Sequence, residues 1–259
     1  VAIGSAAGTA LTTGIRNVLI GYQAGDALTD ADENIAIGKS ALSLDTLGSR
    51  TTAIGKSALS NQNFTSATNS YNVALGYEAG KAVTTGINNT LIGSTAGDAL
   101  TDADANVAIG QAALSTDTLG SQSVAIGASA LESQNFTTAT NSLNTAVGTA
   151  AGASVTTGIE NTFIGGLAGD ALTAVYYNVA LGAKALSADT LGSRSTAIGR
   201  AALSAQNFTT ATDTYNTAVG FNAGAAVTTA PQNTLIGGLA GDALTATGFN
   251  VAVGYNALT

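Results

Sequence analysis

Hydrophobic and polar positions along this chain repeat as one short pattern. A β-branched residue, a small or apolar one and a large aliphatic one are followed by Gly-x-x-Ala. The glycine of this pattern stands at Gly4, Gly21, Gly38, Gly55, Gly76, Gly93, Gly110, Gly127, Gly148, Gly165, Gly182, Gly199, Gly220, Gly237 and Gly254. Spacings run 17, 17, 17 and 21 residues and then repeat, so four coils make a 72-residue super-repeat. Units this short cannot bury a face alone, and a fixed period of this kind predicts stacked coils whose equivalent positions form ladders. The expected fold is all-β, a single-strand-ladder parallel β-solenoid of about 15 coils of 17 or 21 residues. It is expected to run as one continuous body over 1–259, with super-repeats 1–72, 73–144 and 145–216 and a partial one over 217–259. At the ~4.8 Å spacing of paired strands, this many coils predicts a rod roughly 70 Å long.

Side chains of a strand alternate between its faces. In Val107-Ala108-Ile109 the first and third positions share a face, and the aliphatic third positions Ile3, Ile20, Leu75, Val147 and Ile236 point to that face as the core. The second positions are apolar as well: Ala2, Leu19, Ala36, Ala53, Ala74, Leu91, Ala108, Ala125, Ala146, Phe163, Ala180, Ala197, Ala218, Leu235 and Ala252. The bulky ones all fall at the same place in the super-repeat. A strand apolar on both faces is normally covered on both. The second positions are therefore expected to form an interchain face, with alanine allowing close approach; the alternative is an exposed alanine surface.

Between strands the chain reads as corners. Asn precedes the first strand position in most coils, as at Asn17, Asn89, Asn161 and Asn233, with Thr51, Ser123 and Ser195 at one equivalent place instead. Asn tolerates left-handed backbone, which suits a corner. The glycine that closes each strand predicts a bend that a Cβ would hinder, and the alanine three residues on is expected inside. Two coil types compensate for each other. Where Gly follows that alanine, as at Gly97 and Gly169, an aliphatic residue comes three later (Leu100, Leu172); where Leu follows it, as at Leu114 and Leu131, the next large apolar residue comes five later (Leu119, Phe136).

The 21-residue coils carry Phe64, Phe136 and Phe208 in loops expected to protrude from the scaffold, for receptor binding, for lateral packing or as plain insertions. Asn63-Phe64-Thr65, Asn135-Phe136-Thr137 and Asn207-Phe208-Thr209 there are formal glycosylation sequons, as is Asn88-Asn89-Thr90 elsewhere. The two positions after each Gly vary most, as in Tyr22-Gln23, Lys39-Ser40 and Arg200-Ala201, and read as solvent-exposed.

Composition narrows the function classes. There is no His, Cys, Met or Trp, only 9% of residues are charged, and the formal net charge is −8. Without Cys, stability rests on packing and hydrogen bonds. The eight bases are scattered, which argues against nucleic acid as a partner, and no apolar stretch is long enough to insert into a membrane. No cofactor and no catalytic residue is expected, since an enzyme built from these residue types needs a concave site that a regular stack does not predict. Asp30, Asp32, Asp102 and Asp104 show the alternating carboxylates of calcium loops, but the equivalent Ala174-Val175-Tyr176 and Ala246-Thr247-Gly248 have no acid. Ice binding needs Thr on coil after coil, and pairs such as Thr84-Thr85 occur in one coil of four. The chain starts and stops inside a coil, so it reads as a piece of a longer one.

Segments such as Asn106-Val107-Ala108-Ile109-Gly110-Gln111-Ala112-Ala113 and Asn250-Val251-Ala252-Val253-Gly254 resemble the head repeats of YadA-like trimeric autotransporter adhesins, and similar repeats occur in bacteriophage tail-fibre-type proteins. That resemblance covers essentially the whole chain. It implies a left-handed parallel β-roll, three parallel protomers, and attachment at an extracellular, cell or virion surface, with a host-surface receptor as a further partner. The expected function is an adhesive or structural fibre segment; the alternative is a self-assembling filament with no receptor.

Overall fold

The computed structural model describes residues 1–259 and is all-β. It is a parallel, single-ladder β-solenoid of about 15 coils, about 17 residues apart, without helices. Contacts divide it into two compact units. The first comprises Val1–Ser123 with Asn135–Asn141, and its ladder runs through Ala2–Ile3, Val18–Ile20, Ile35–Ile37, Thr52–Ile54, Val73–Leu75, Thr90–Ile92 and Val107–Ile109. The second comprises Val124–Gln134 with Ser142–Thr259, and its ladder runs through Val124–Ile126, Thr145–Val147, Thr162–Ile164, Val179–Leu181, Thr196–Ile198, Thr217–Val219, Thr234–Ile236 and Val251–Val253. Register follows the repeat: Val18 pairs with Ile35, Leu19 with Ala36 and Ile20 with Ile37.

Burial reverses the expected faces. Second positions point inward: Leu19 is 1% exposed, and Ala36, Ala53, Leu91, Ala108, Phe163, Ala180 and Leu235 are fully buried within their own chain. The same holds for Ala74, Ala125, Ala146, Ala197 and Ala218, with Ala252 at 3%; only Ala2, in the outermost coil, is exposed. They are the core and cannot meet another chain. The first and third positions point outward, with Leu75 44% and Leu181 41% exposed. The reason lies in the width of the coil. A 17-residue turn leaves a thin interior, which accepts Ala across from the inward Ala of Gly-x-x-Ala (Ala24, Ala41, Ala96, Ala113, all fully buried) but not two opposed rows of Ile.

Core volume is balanced between coil types. In the third and fourth coils of each super-repeat, Leu42, Leu59, Leu114, Leu131, Leu186 and Leu203 follow that inward Ala and are fully buried, opposite alanine second positions. In the first and second coils that place is Gly, and the space is filled by the bulky second position. A Cβ on Gly25 would lie 2.8 Å from Leu19 Cδ2 and 2.8 Å from Leu28 Cδ1; one on Gly169 would lie 2.6 Å from the Phe163 ring. The position itself is left-handed in both types, φ 55° at Gly25 and 53° at Leu42.

Each 21-residue coil adds a second, two-residue strand. Thr68–Asn69 pairs with Gly48–Ser49 and Thr140–Asn141 with Gly120–Ser121 in the first unit, and Thr212–Asp213 pairs with Gly192–Ser193 in the second. Phe64, Phe136 and Phe208, expected to protrude, pack inward at 5%, 6% and 7% exposure. An aromatic ring contributes far more by burial than at the tip of a polar loop. What protrudes instead is the following triplet, Thr65 to Ala67, Thr137 to Ala139 and Thr209 to Ala211.

Candidate interaction surfaces

Polar corners hold the surface columns in line. The corner Asn side chains are buried and form a ladder. Asn17 Oδ1 accepts from the Asn34 amide at 2.9 Å, Asn34 Oδ1 from the Thr51 amide at 2.9 Å, and Asn34 Nδ2 donates to the Gly48 carbonyl at 2.9 Å. Asn161 and Asn178 repeat this in the second unit, Asn178 Nδ2 reaching the Gly192 carbonyl. The Asn is not the left-handed residue. That is the one before it: Arg16 (φ 60°), Glu33, Arg50, Tyr71, Glu160, Tyr177, Arg194 and Tyr215. The Asn side chain must reach into the coil, and the tight turn is taken by a neighbour whose side chain is free to point outward.

Where Asn is replaced, a buried network takes over. Thr51 Oγ1 lies 2.6 Å from Ser70 Oγ, and Gln62 donates to Thr51 Oγ1 at 3.0 Å and to Asp45 Oδ2 at 2.6 Å, while its own oxygen accepts from Asn72 at 2.9 Å. Asp45 also accepts from the Gly48 and Phe64 amides. Asp189, Ser195, Gln206, Thr214 and Asn216 reproduce the set in the second unit. Sequence reading missed it. The available signal was the recurrence of Asp-x-x-Gly and of Gln-Asn-Phe-Thr at the 72-residue interval.

The outward strand face carries a continuous aliphatic column in each unit. Third positions are Ile3, Ile20, Ile37, Ile54, Leu75, Ile92 and Ile109 in the first, and Ile126, Val147, Ile164, Leu181, Ile198, Val219, Ile236 and Val253 in the second. First positions beside them are Val, Ile or Thr throughout, and no charge interrupts either column.

The left-handed corner column carries most of the charge chemistry. In the first unit Glu33 bridges Arg16 (2.9 Å) and Arg50 (3.1 Å), and Arg50 donates to the Tyr71 hydroxyl at 2.8 Å. The Arg50 hydrogen bond, and then that of Arg16, holds the Glu33 carboxyl below its ordinary range. In the second unit Arg194 lies between the Tyr177 and Tyr215 rings, at 5.0 and 5.8 Å, and pairs with Asp213 at 2.9 Å.

The calcium-loop candidates serve the stack. Asp30 accepts from the Thr13 hydroxyl and Asp32 from the Ile15 amide at 2.7 Å; Asp102 accepts from Thr85 Oγ1 at 2.6 Å and Asp104 from the Ile87 amide at 2.7 Å. They sit one coil from those donors, and nowhere do three or more acidic, His or Cys side chains gather around a common point. The sequon asparagines accept from the preceding coil through Oδ1, Asn135 from Thr118 at 3.2 Å and Asn207 from Thr190 at 3.1 Å. Thr hydroxyls such as Thr29, Thr101 and Thr173 donate to the next coil's carbonyls. No helix is long and apolar enough to cross a membrane.

No known protein family matches the chain, and no curated protein matches it.

Proposed function

We propose that the chain is a structural and adhesive fibre segment outside the cell or on a virion, assembled from copies of itself through the outward aliphatic strip, as three parallel protomers in keeping with the adhesin heads that its repeats resemble. One observation carries this: the outward strip presents an aliphatic third position and no charge in every coil although the core is already complete within one chain. Monomeric soluble proteins rarely expose a contiguous apolar strip of this kind, and such strips mark association surfaces. A strip on one side of a solenoid closes naturally around a rotation axis. The resemblance to YadA-like heads points the same way. The exposed triplets after Phe64, Phe136 and Phe208 recur once per super-repeat and would present the same chemistry at even intervals to a receptor. This role requires no catalysis, cofactor or metal.

Mass in dilute solution is the test. Sedimentation equilibrium across a concentration series is expected to return a discrete threefold mass. A polymer that grows with concentration would replace the closed assembly with the filament alternative, and a stable monomer would overturn the claim that the strip is covered.

A further inference from the structure

In the second unit, the column directly after the strand-closing glycine is interrupted by a groove of about 450 Å³ lined by Thr149, Gly166, Leu167, Ala183, Lys184 and Arg200. We propose that this groove binds a segment of an acidic, uronate-bearing polysaccharide, held at its carboxylates by Lys184 and Arg200. The inference rests on the attachment reading above and names a ligand class for it.

Gly166 creates the groove, and the backbone does not require it. Its φ is not left-handed, and a Cβ there would meet nothing nearer than the Thr149 carbonyl oxygen at 3.9 Å. At the equivalent coil the first unit carries Tyr22 and Ser94; at Gly238 the space is taken by the Tyr255 ring, 3.5 Å from where a Cβ would sit. In the first unit the same column is filled by Tyr22, Lys39, Lys56 and Tyr77, with Lys39 and Lys56 lying 5.9 and 5.0 Å from the Tyr22 and Tyr77 rings. The groove is thus a local departure from the repeat.

Its chemistry selects an anion with an apolar body. Lys184 and Arg200 are exposed and belong to none of the ion pairs of this acidic chain. Arg200 lies 5.6 Å from the Phe221 ring, which holds its planar fork in place for a carboxylate. Asp170 is close enough to feel the Lys184 charge but forms no ion pair with it. The floor of Gly166, Ala183 and Leu167 is apolar, suited to the C–H face of a sugar ring, with the Thr149 hydroxyl at one end. Thr149, Gly166, Ala183 and Arg200 lie on four successive coils, a run of about 14 Å at the spacing of paired strands. The two cations stand on adjacent coils, one per coil, which matches a linear polymer carrying one charge per ring.

The test uses the full chain with a size-defined, labelled oligogalacturonate, followed by fluorescence polarisation, with neutral dextran, dextran sulfate and a single-stranded oligonucleotide as competitors. Gly166→Tyr, Lys184→Ala and Arg200→Ala install what the chain itself carries at equivalent coils, Tyr22, Ala112 and Ala128, so each variant is expected to fold. Each is expected to weaken binding at least about tenfold, as for loss of a charge-assisted contact or of the groove itself. Unchanged affinity in the three variants, no binding by the parent chain, or preference for dextran sulfate, dextran or the oligonucleotide would overturn the proposal. Mass measured on the same samples separates the two readings: binding absent with the threefold assembly intact sinks the groove alone, and a monomer that still binds sinks the assembly alone.

Discussion

At the scale of single residues, the coil depends on backbone conformations that most side chains avoid. Each strand-closing glycine has φ between 128° and 147°, a region open in practice to Gly alone. A Cβ on Gly182 would also lie 2.6 Å from the carbonyl group of Gly199 in the next coil. Gly182→Ala is therefore expected to cost about 3 kcal/mol or more in denaturant unfolding, whereas Gly166→Ala, on ordinary backbone with open space, should change stability by only a few tenths of a kcal/mol. Left-handed residues that are not glycine, such as Lys184 (φ 58°) and Arg194 (φ 62°), are held by amides that donate across coils, Lys184 to Gly166 at 3.0 Å and Arg194 to Tyr176 at 3.0 Å.

A second residue-scale prediction concerns pH. Asp98 and Asp170 each have a buried carboxylate oxygen, Oδ1, with no partner, and burial raises both carboxyls above their ordinary range; Glu78 adds to this at Asp98, while Lys81 there and Lys184 at Asp170 oppose it. A raised folded-state value means that the folded chain holds these protons to higher pH than the unfolded one. Stability from these two groups is thus greatest below the ordinary carboxylate range and is lost as pH rises through the raised value. Asp98→Asn and Asp170→Asn should raise the thermal midpoint at neutral pH, and the gain should vanish in acid. A gain that grew in acid would show the carboxylates to be stabilising. Glu33, held down by its arginines, works in the opposite direction, losing its contribution as pH falls.

At the scale of elements, the coil pair is the packing unit. Leu91 fills the space that Gly80 and Gly97 leave open; a Cβ on Gly97 would lie 2.7 Å from Leu91 Cδ2. Leu91→Ala should cost about 2–5 kcal/mol as a buried cavity, and Gly97→Leu alone should overpack the same space. Combined, the two substitutions recreate the arrangement of Ala108 with Leu114, so the double variant should be more stable than the sum of the single effects predicts. Simple additivity would disprove the compensation. The buried network is the other element-scale device. Gln62→Leu removes the donor to Asp45 and the acceptor of Asn72, leaving a fully buried carboxylate short of a partner, at an expected cost of about 3–5 kcal/mol. Hydrogen exchange should place the loss at the short ladder of Gly48–Ser49 and Thr68–Asn69, because solenoid stability is close to a sum of neighbouring coils.

At the scale of the whole molecule, the question is what covers the outward strip. Leu75→Glu and Leu181→Glu put a charge on it at positions already 44% and 41% exposed, where the folded coil tolerates a polar group. Both variants should keep the β-sheet circular dichroism of the parent and sediment as smaller species. A variant that kept the parent mass would move the association surface elsewhere. In the corner columns Arg50 is taken up by Glu33 and Tyr71, and Arg194 by Asp213.

The solenoid, its coil count, its ladder register and the inward alanine of Gly-x-x-Ala were legible in the sequence, because a repeat forces equivalent residues into equivalent places. The compensation between coil types was legible only in part: Leu100 and Leu172 are buried as expected, but the space beside Gly97 and Gly169 is also filled by Leu91 and Phe163, which the sequence had placed on the outer face. The direction of the strand faces was not legible. Val107-Ala108-Ile109 is apolar on both sides, and only the width of the folded coil decides that Ala goes in and Ile goes out. The same thin interior draws Phe64, Phe136 and Phe208 inside and leaves the neighbouring Thr and Ala outside. Likewise, the Asn that looked like the left-handed corner proved to be its buried brace. Periodicity determines which positions are alike, and tertiary packing decides which way they face.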